Sequence, residues 1–446
     1  MPEPPRRRRY RTRDMMVSLR VGNVTVQFDH DGDRNFNKAG SVDWLGKPVL
    51  IPAGSYTFHF DLEGRIQRID GFASPHSWDW LQRTMANDWI YYDKVWAPGS
   101  IPQPSGIIGD AVWAVNGRTD LPMLQGHNGL QRDYVGKAFD AFDGLISSIQ
   151  DLVKHRPEVH SESGEAAHPT SNSRLWDFLG KAARNDRVQL QKVADRLHEI
   201  HGHMAVLPPD TINVDYRTLL VKVMDGCTYT CGFCLARGES EFAVRSRDDI
   251  DRQIDVLAEV YGADLYNYNS VVFGECDALT SPSIEYAANR AFDVFRCGSS
   301  FHAGSNLFLF STTRTLCEQP DSTFDMLEAL PFENVWINVG WEAATNAALL
   351  QLEKQQTAQE VLSGMEKAGK INRKHKKVKI SGNFITADGY QCDGIVEAIR
   401  RTQYCGQLFL SPLLGQCSSE QALKDLRAIR NASPDVRAHL YTMQRM

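Results

Sequence analysis

The stretch that decides the fold runs from Thr218 to Cys234 and reads TLLVKVMDGCTYTCGFC. Its first seven residues are mostly apolar and predict a buried β-strand. Three thiols, those of Cys227, Cys231 and Cys234, follow the strand within eight residues. Because they share one loop at the carboxyl end of a strand, they can converge on a single metal centre.

The set of three thiols limits the kind of centre. A tetrahedral structural zinc site normally needs four protein ligands, and the several residues after Cys234 include no further Cys or His. Three thiolates suit a cubane iron–sulfur cluster, in which one iron is left open for a ligand that is not protein. Three buried thiols, or a zinc loop completed from a distant part of the chain, are the alternatives. The sequence therefore favours an iron–sulfur centre.

Alternating strands and helices surround this loop from residue 215 onward. Apolar runs predict strands at Thr218–Met224, Ser270–Phe273, Leu307–Phe310, Asn334–Val339, Val378–Ile385 and Leu408–Leu410. Helical spacing predicts helices at Ser246–Gly262, from Ser281-Pro282, and at Ser322–Leu330, Ala344–Ala368, Ile395–Tyr404 and Glu420–Arg430. Six βα units in a row imply an α/β fold with parallel strands joined by right-handed crossovers, hence an open or partial (β/α)6 barrel. In such folds the chemistry lies at the carboxyl ends of the strands.

The first 210 residues have a different character. The predicted organisation is a disordered basic tail at 1–14, a β-rich and Trp-rich domain at 15–135, a helical segment at 136–210 with a mobile linker at 155–173, and the barrel at 211–446. Gly22-Asn23 and Glu63-Gly64 each separate two strand-like runs and predict hairpins. Six of the nine tryptophans lie between Trp44 and Trp113. Core packing is the favoured interpretation of them, and an aromatic wall for a polar ligand is the alternative.

Composition excludes several classes of protein. Of the 446 residues, 42% are hydrophobic and 23% charged, and no apolar run is as long as a membrane helix requires. The net charge of −6 argues against a surface that mainly binds nucleic acid. No apolar stretch follows the basic N-terminal residues, so we expect no secretory signal and a cytoplasmic location. Nine cysteines in such a compartment indicate metal binding or chemistry rather than disulfides.

The Cys-x3-Cys-x2-Cys spacing, with an aromatic residue before the last cysteine, resembles the signature of the radical S-adenosylmethionine superfamily. The resemblance covers about residues 215–440. It implies that Cys227, Cys231 and Cys234 hold a [4Fe-4S] cluster, whose open iron binds the amino and carboxylate groups of S-adenosylmethionine. It further implies that one electron, from a flavodoxin- or ferredoxin-like partner, cleaves the sulfonium to give methionine and a 5′-deoxyadenosyl radical.

Other strand ends match positions at which this family binds S-adenosylmethionine. Gly274 and Glu275 resemble the end of the Gly-Gly-Glu-type motif that holds the methionine ammonium, although Phe273 replaces one glycine. Asn338 and Gly340 lie in a stretch similar to the one that faces the methionine carboxylate or ribose. Asn383 lies in a segment that resembles the one that packs against adenine in this family. The remaining candidate cofactor-binding residues also lie in or after strands: Ser311, Thr312 and Ser411.

The resemblance extends loosely to the radical dehydratases that act on sugars and aminoglycosides. That comparison implies a small polar substrate and a radical dehydration or deoxygenation. Glu342 and Asp277 are the predicted acid and base, and they could also hold a polycationic sugar. Cys276 is a predicted hydrogen-atom donor. Lys222 is predicted either to face the barrel interior, where it could act in catalysis, or to extend its charge to solvent.

Two other functions remain open at this point. A peptide-modifying radical enzyme would use the β-rich N-terminal part to bind a leader peptide by strand addition. A non-catalytic iron–sulfur or zinc scaffold would bind the metal without chemistry. The cysteines outside the motif and Cys276 are widely separated, and we interpret them as incidental: Cys297, Cys317, Cys392, Cys405 and Cys417.

Overall fold

The structure is a computed structural model of the chain. It describes residues 17–28, 47–72, 77–84, 87, 89–95, 129–161, 164–202, 207–214, 216–227, 229–234, 242–274, 276–388, 392–413, 416–433 and 435–440. The predicted tail at 1–14 lies outside these residues. The chain divides into two compact units, one formed by Met1–His203, Val260–Asn267 and Met446, the other by Met204–Glu259 and Tyr268–Arg445.

The N-terminal unit is built on an eight-stranded antiparallel sheet with the strand order β7-β6-β5-β4-β3-β2-β1-β8. Its strands are β1 (Val17–Val21), β2 (Val24–Phe28), β3 (Val49–Ala53), β4 (Tyr56–Phe60), β5 (Ile66–Gly71), β6 (Ser77–Arg83), β7 (Trp89–Val95) and β8 (Val159–Ser161). Its helices are α1 (Gly129–His155), α2 (Pro169–Ala182) and α3 (Arg187–His201). The hairpins predicted at Gly22-Asn23 and Glu63-Gly64 are confirmed.

Aromatic side chains form much of the core of this unit. Phe178 of α2 meets Phe28 of β2 edge-on, with ring centroids 5.6 Å apart. Trp80 and Trp89 are buried, and the Trp89 ring packs edge-on against Phe139 at 5.2 Å. For these two tryptophans the structure therefore favours the packing interpretation over an exposed ligand wall.

The segment at 155–173, predicted as a mobile linker, differs from that expectation. It contains β8, in which Val159 is buried and pairs with Val21 of β1. It also contains the start of α2, where Pro169 occupies the first turn and the His168 side chain accepts a hydrogen bond from the Thr170 backbone N–H. Proline is well suited to that position because its missing N–H would have no helical partner there. The mostly polar composition of this segment did not indicate that Val159 is buried or that a helix begins at Pro169.

The C-terminal unit is an α/β structure with a seven-stranded, entirely parallel sheet in the order β17-β16-β15-β14-β13-β12-β9. Its strands are β9 (Leu219–Lys222), β12 (Ser270–Gly274), β13 (Asn306–Ser311), β14 (Asn334–Glu342), β15 (Val378–Thr386), β16 (Gly406–Pro412) and β17 (Val436–Leu440), with a small separate pair, β10 (Met224–Asp225) and β11 (Ala243–Val244). The predicted α/β class with parallel strands is confirmed. The sheet has seven parallel strands rather than the six predicted. The additional strand, β17, has only five residues, in which Val436, Ala438 and Leu440 alternate with Arg437 and His439.

Helices connect the parallel strands: α4 (Arg247–Tyr261), α5 (Ile284–Val294), α6 (Thr313–Glu318), α7 (Asp321–Ala329), α8 (Asn346–Gln351), α9 (Ala358–Lys374), α10 (Asp393–Thr402) and α11 (Ser419–Ala432). The single helix predicted over Ala344–Ala368 is two helices, α8 and α9. The break occurs because Glu353 has a φ of 51° and Thr357 forms a capping box with Glu360 at the start of α9. Among the described residues no helix is both long and apolar enough to cross a membrane.

The two faces of β14 and β15 differ in character. Trp341 is fully buried and packs toward α9, since a Cβ at Gly364 of that helix would lie 3.6 Å from the indole nitrogen. Gly382 of β15 leaves room for the same ring, because a Cβ there would lie 2.2 Å from it. Side chains alternate along a strand, so Asn338 of β14 points to the opposite face. We call that face, which also carries Ser381 and Asn383, the polar face of the sheet.

Candidate metal centre

The three cysteines of the motif lie in one loop, residues 227–234, which we call the cysteine loop. It follows β9 and β10 at the carboxyl end of the sheet, and Met224–Asp225 pairs with Ala243–Val244 beyond the loop. Cys231 is buried, whereas Cys227 and Cys234 are partly exposed. The Cys234 N–H donates to the Cys231 carbonyl at 3.2 Å, which tightens the end of the loop.

The connector between α8 and α9 holds the cysteine loop in place. The Gly232 N–H donates to the Leu352 carbonyl at 3.1 Å, and Nε2 of Gln355 donates to Oγ1 of Thr230 at 2.9 Å. A Cβ at Gly232 would lie 2.9 Å from a carboxylate oxygen of Glu353, so the loop and the connector approach closely. The break between the two helices thus creates the surface on which the cysteine loop rests.

Two cations flank an aromatic ring inside the cysteine loop. Tyr229 is buried, with Nζ of Lys354 5.3 Å and Cζ of Arg314 5.7 Å from its ring centroid. Burial raises the pKa of Tyr229, while Arg314, a hydrogen bond with Thr312 and Lys354 act in the opposite direction. Of these two cations, Lys354 also interacts electrostatically with the thiols of Cys227 and Cys231.

Lys354 forms an ion pair with Glu342 at the end of β14, with Nζ and Oε1 3.6 Å apart. Glu342 has a φ of 62°, an unfavourable backbone for a residue with a side chain. Gly340 is needed beneath the pair, because a Cβ there would lie 2.4 Å from Oε1 of Glu342. Burial raises the pKa of Glu342. Burial would lower the pKa of Lys354, but the charges of Glu342 and of the Cys231 and Cys227 thiolates raise it.

The thiols interact with one another and with a fourth cysteine. A hydrogen bond with Cys276 is the main cause that lowers the pKa of Cys227 to about 7, against burial and with help from the Tyr229 N–H and Lys354. Burial raises the pKa of Cys231, and the charges of Cys234 and Cys227 add to that increase. Cys276 comes two residues after the end of β12, and that end lies beside β9. The structure therefore brings four thiols into one neighbourhood.

Asp277 connects the ends of β12 and β13. Its Oδ1 accepts from Oγ of Ser311 at 3.2 Å and from the Thr312 N–H at 3.1 Å, and its Oδ2 accepts from Oγ1 of Thr312 at 3.2 Å and of Thr315 at 2.5 Å. Burial raises the pKa of Asp277 despite these hydrogen bonds. The contacts favour a positioning role for this carboxylate, and its acid–base role stays a prediction. Ser311 and Thr312 both form hydrogen bonds with Asp277, and their role in cofactor binding stays a prediction.

Lys222 lies at the outer end of the sheet. Its backbone N–H and carbonyl both pair with the Gln253 side chain of α4, at 2.9 and 3.0 Å, as a further strand would. Its Nζ lies 3.6 Å from Oδ1 of Asp225, and Arg245 donates to both oxygens of the same carboxylate at 2.7 Å. The side chain thus takes part in an ion-pair network next to the cysteine loop.

A second polar cluster occupies the polar face of the sheet. Asn338 of β14 donates from Nδ2 to Oγ of Ser381 at 2.8 Å and to Oδ2 of Asp210 at 3.1 Å. Asn383 donates from Nδ2 to Oδ1 of Asn338 at 2.7 Å. Asp210 belongs to the 3-10 turn Pro209–Asn213 before β9, and burial raises its pKa to about 6. We call Asp210, Asn338, Ser381 and Asn383 the Asp210 cluster.

Most of the sequence-predicted residues therefore fall into three places. Around the cysteine loop lie Cys227, Cys231, Cys234, Cys276, Glu342, Gly340 and Lys222. At the β12–β13 ends lie Asp277, Ser311 and Thr312, and on the polar face lie Asn338 and Asn383. Gly274 accepts a hydrogen bond from the Val223 N–H, Ser411 is partly exposed in β16, and Glu275 lies outside the described residues.

Sequence reasoning gave no role to Tyr229, Lys354 or Asp210. Tyr229 was inside the motif, and its aromatic ring between two cysteines was the available signal. The residues next to Lys354 and Asp210 in the sequence do not indicate a role for them, because the partners of both side chains lie on strands elsewhere in the chain. Within the described part of the chain, no group of three or more His, Cys, Asp or Glu side chains is arranged around a single ion site.

Comparisons with known proteins give limited information. No family model matches the chain, and no curated protein matches it. Solved structures similar to part of the chain include the cobalamin-dependent S-adenosylmethionine radical enzyme OxsB with aqua-cobalamin bound, at 10% identity, the apo selenomethionine-labelled form at 11%, and the form with aqua-cobalamin and S-adenosylmethionine at 12%. Each has a TM-score of 0.29 and covers 41% of this chain and 26% of that protein. A likeness this partial assigns neither a family nor an activity to the chain.

Proposed function

We propose that the chain is a radical S-adenosylmethionine enzyme that holds a [4Fe-4S] cluster on Cys227, Cys231 and Cys234. The observation that carries the proposal is the position of these three thiols in one loop at the carboxyl end of a parallel sheet, next to the buried Glu342–Lys354 pair. When bound, the cluster and S-adenosylmethionine would supply a 5′-deoxyadenosyl radical that abstracts hydrogen from an unactivated C–H bond.

The donor set fits such a cluster. Each thiolate of a cubane binds a different iron, so the three sulfurs do not need to surround a single point. Lys354 interacts electrostatically with Cys231 and Cys227, and its charge offsets part of the negative charge that three thiolates bring together. The hydrogen bonds from the connector fix Thr230 and Gly232 between the cysteines, so the loop is held in one conformation.

The chain's own residues would bind and orient the substrate and move its protons. We propose a small polar substrate, a sugar or aminoglycoside, that undergoes dehydration or deoxygenation. Glu342 would act as the general base, because it is a buried carboxylate held beside a lysine at a strand end. Asp277 would position the ends of β12 and β13 through its four hydrogen bonds. A flavodoxin- or ferredoxin-like protein would supply the electron.

Anaerobic reconstitution tests the proposal. The full chain would be loaded with iron and sulfide, reduced with dithionite and given S-adenosylmethionine, and 5′-deoxyadenosine and methionine would be measured. We expect both products from the wild type and from Cys297→Ala, and neither from Cys231→Ala. Deuterium transfer into 5′-deoxyadenosine from labelled sugars, aminoglycosides and peptides then identifies the substrate class. Absence of 5′-deoxyadenosine from a fully loaded cluster would contradict the proposal.

A non-catalytic scaffold is a second candidate, and the position of Cys276 favours it. Cys276 hydrogen-bonds to Cys227, so a fourth thiol lies beside the cysteine loop, and a tetrahedral site would need the four sulfurs to move together around one ion. The scaffold predicts bound zinc, or a cluster that does not respond to S-adenosylmethionine. Metal analysis of the purified chain, with Cys276→Ala as the diagnostic variant, separates the two: an open-iron cluster survives the substitution and a four-thiol site does not.

Peptide modification is a third candidate. Within the part of the sheet that the structure describes, β7 and the short β8 are the two terminal strands of the N-terminal sheet, and a terminal strand can accept an added peptide strand. If only peptides exchange deuterium in the experiment above, this candidate replaces the sugar or aminoglycoside.

A further inference from the structure

Lys354 brings a buried positive charge to the cysteine loop. Its side chain is only 7% exposed, and its Nζ lies 3.6 Å from Oε1 of Glu342. The same Nζ lies 5.3 Å from the ring centroid of Tyr229, a residue inside the cysteine loop. Burial opposes the charge, but the carboxylate of Glu342 and the loop thiolates raise the pKa of Lys354, so its amine stays protonated at neutral pH.

The backbone on both sides of Lys354 fixes this charge beside the loop. Before it, the Leu352 carbonyl accepts from the Gly232 N–H at 3.1 Å. After it, Nε2 of Gln355 donates to Oγ1 of Thr230 at 2.9 Å. The residues that flank Lys354 therefore contact the residues that flank the central cysteine of the loop. The lysine is held as a neighbour of that cysteine by contacts that do not involve its own side chain.

A buried charge acts on a redox centre more strongly than an exposed one. Water and salt screen exposed charges, whereas the lower dielectric constant of the interior strengthens Coulomb interactions. Net charge is one of the properties that set the reduction potential of an iron–sulfur cluster. An electron added beside three thiolates meets negative charge, and a fixed ammonium offsets part of that charge. Arg314, the other cation on the Tyr229 ring, is exposed and should have a smaller effect.

We propose that the charge of Lys354 favours the one-electron reduction of the cluster that the cysteine loop holds. This inference rests on the proposed function and deepens it, because it identifies the residue that controls how readily the electron donor reduces the centre. Lys354 would act through the thiolates and not on the substrate, so it is a positioning residue. Glu342 would oppose it, because the carboxylate cancels part of the ammonium charge.

Redox titration of the full reconstituted chain tests this role. The cluster would be reduced stepwise with dithionite, and its reduced form would be measured by electron paramagnetic resonance. Lys354→Met removes the charge and keeps an unbranched side chain. We expect it to lower the equilibrium constant for one-electron reduction about tenfold or more, and tenfold is a decrease of about 59 mV in the midpoint potential.

Glu342→Gln gives a prediction of the opposite sign. It removes the opposing carboxylate and leaves the ammonium, so the equilibrium constant for reduction should rise about threefold or more. A pair with a purely structural role would change the stability of both variants without moving the two potentials in opposite directions. Lys370→Met is the control, because that lysine is 67% exposed on α9 and pairs with Glu366, and it should leave the potential unchanged.

Iron and sulfide would be assayed in each variant before the titration. An unchanged potential in loaded Lys354→Met, or shifts of the same sign in the two variants, would overturn the role of Lys354. If Lys354→Met takes up no cluster, Glu342→Gln decides: a higher potential supports the role, and an unchanged or lower one overturns it.

The same samples keep the two proposals separate. Wild-type formation of 5′-deoxyadenosine, with potentials that do not respond to the two variants, would overturn the role of Lys354 and leave the proposed chemistry intact. Opposite shifts of potential without 5′-deoxyadenosine would support the role and overturn the proposed chemistry. A wild-type chain that takes up no cluster would overturn both.

Discussion

At the scale of single residues, the candidate site depends on groups whose partners lie far away in the sequence. Glu342 could be predicted because it ends an apolar strand. Its partner Lys354 could not, since it follows a turn in which Glu353 has a positive φ and the sequence predicts a continuous helix there. A non-glycine residue in the left-handed region costs roughly 1–2 kcal/mol. Glu342 and Glu353 both have this backbone conformation despite its cost. It brings the Glu342 carboxylate and the Lys354 ammonium to the cysteine loop.

Gly340→Ala tests how closely the ion pair is packed. The new Cβ would lie 2.4 Å from Oε1 of Glu342 and 3.3 Å from Nζ of Lys354, so the pair must separate or shift. We expect the free energy of unfolding to fall by roughly 1–3 kcal/mol, measured by urea denaturation. Gly136→Ala in α1 is the control, because its Cβ meets nothing within 4 Å, and it should stabilise the chain by roughly 0.5–1 kcal/mol. Equal effects of the two substitutions would contradict the contact.

Asp210 gives the stability of the chain a specific dependence on pH. Burial raises its pKa to about 6, whereas an unfolded aspartate titrates near ~3.9. The folded chain therefore binds more protons than the unfolded chain between these values, and the free energy of unfolding falls as pH rises through them. The facing Tyr404 does not titrate there, because burial raises its pKa far higher.

Asp210→Asn removes this dependence. We expect the curve of unfolding free energy against pH to become flatter between about pH 4 and 6, by roughly 3 kcal/mol over the window. Chemical denaturation at a series of pH values measures it. Asp425→Asn provides the comparison, since Gln421 and Thr386 donate to the two oxygens of that carboxylate. Equal slopes of the wild-type and Asp210→Asn curves in this window would show that the pKa of Asp210 is not raised.

At the scale of secondary-structure elements, the break between α8 and α9 is the feature that builds the site. The apolar spacing of Ala344–Ala368 predicts one helix, and that spacing continues across the break. The signal that was available is local: Thr357 and Glu360 have the spacing of a capping box at the start of α9. Had α8 continued, Leu352 and Gln355 could not present the groups that bind the cysteine loop.

Thr357→Ala tests the importance of this helix start. The Thr357 hydroxyl accepts from the Glu360 N–H at 3.2 Å, and the Glu360 carboxylate accepts from the Thr357 N–H at 2.6 Å. Loss of the hydroxyl should reduce the free energy of unfolding by about 1 kcal/mol. Thr357→Ser retains the oxygen and should be nearly neutral. If both variants lose the same amount, the methyl group rather than the cap would be responsible.

At the scale of the whole molecule, the sequence predicts the elements whose apolar residues recur with a regular period or whose ends are marked by turn residues. The order of the parallel strands β9 to β16 and the hairpins of the N-terminal sheet follow from apolar runs and turn residues. The anchor strand β8 did not, because three residues with one buried side chain form almost no pattern. The terminal strand β17 was missed although its apolar and polar residues alternate, because the run is only five residues long. The Asp210 cluster lay beyond sequence reasoning for a different reason: it joins a 3-10 turn to two strands more than a hundred residues away.

The distribution of the nine cysteines over the fold predicts how much iron the chain binds. Outside the group around the cysteine loop, five cysteines are spread over the sequence of the C-terminal unit: Cys297 lies in a 3-10 turn, Cys317 in α6, and Cys392, Cys405 and Cys417 in the connections just before α10, β16 and α11. Burial raises the pKa of Cys297 to about 12 and also raises those of Cys317 and Cys417, which makes these thiols poor ligands. A second cluster would need several thiolates in one place, and among the residues that the structure describes no such group is found.

We therefore expect reconstitution to load about four iron and four sulfide per chain, as for one cubane cluster. Iron and sulfide assays, with protein concentration from amino-acid analysis, measure this ratio. Cys227→Ala combined with Cys231→Ala and Cys234→Ala should bring it near zero, whereas Cys297→Ala should leave it unchanged. A ratio near twice this value in the wild type, with half of it surviving the triple substitution, would mean that the remaining cysteines assemble a second cluster and would refute their separation in the fold.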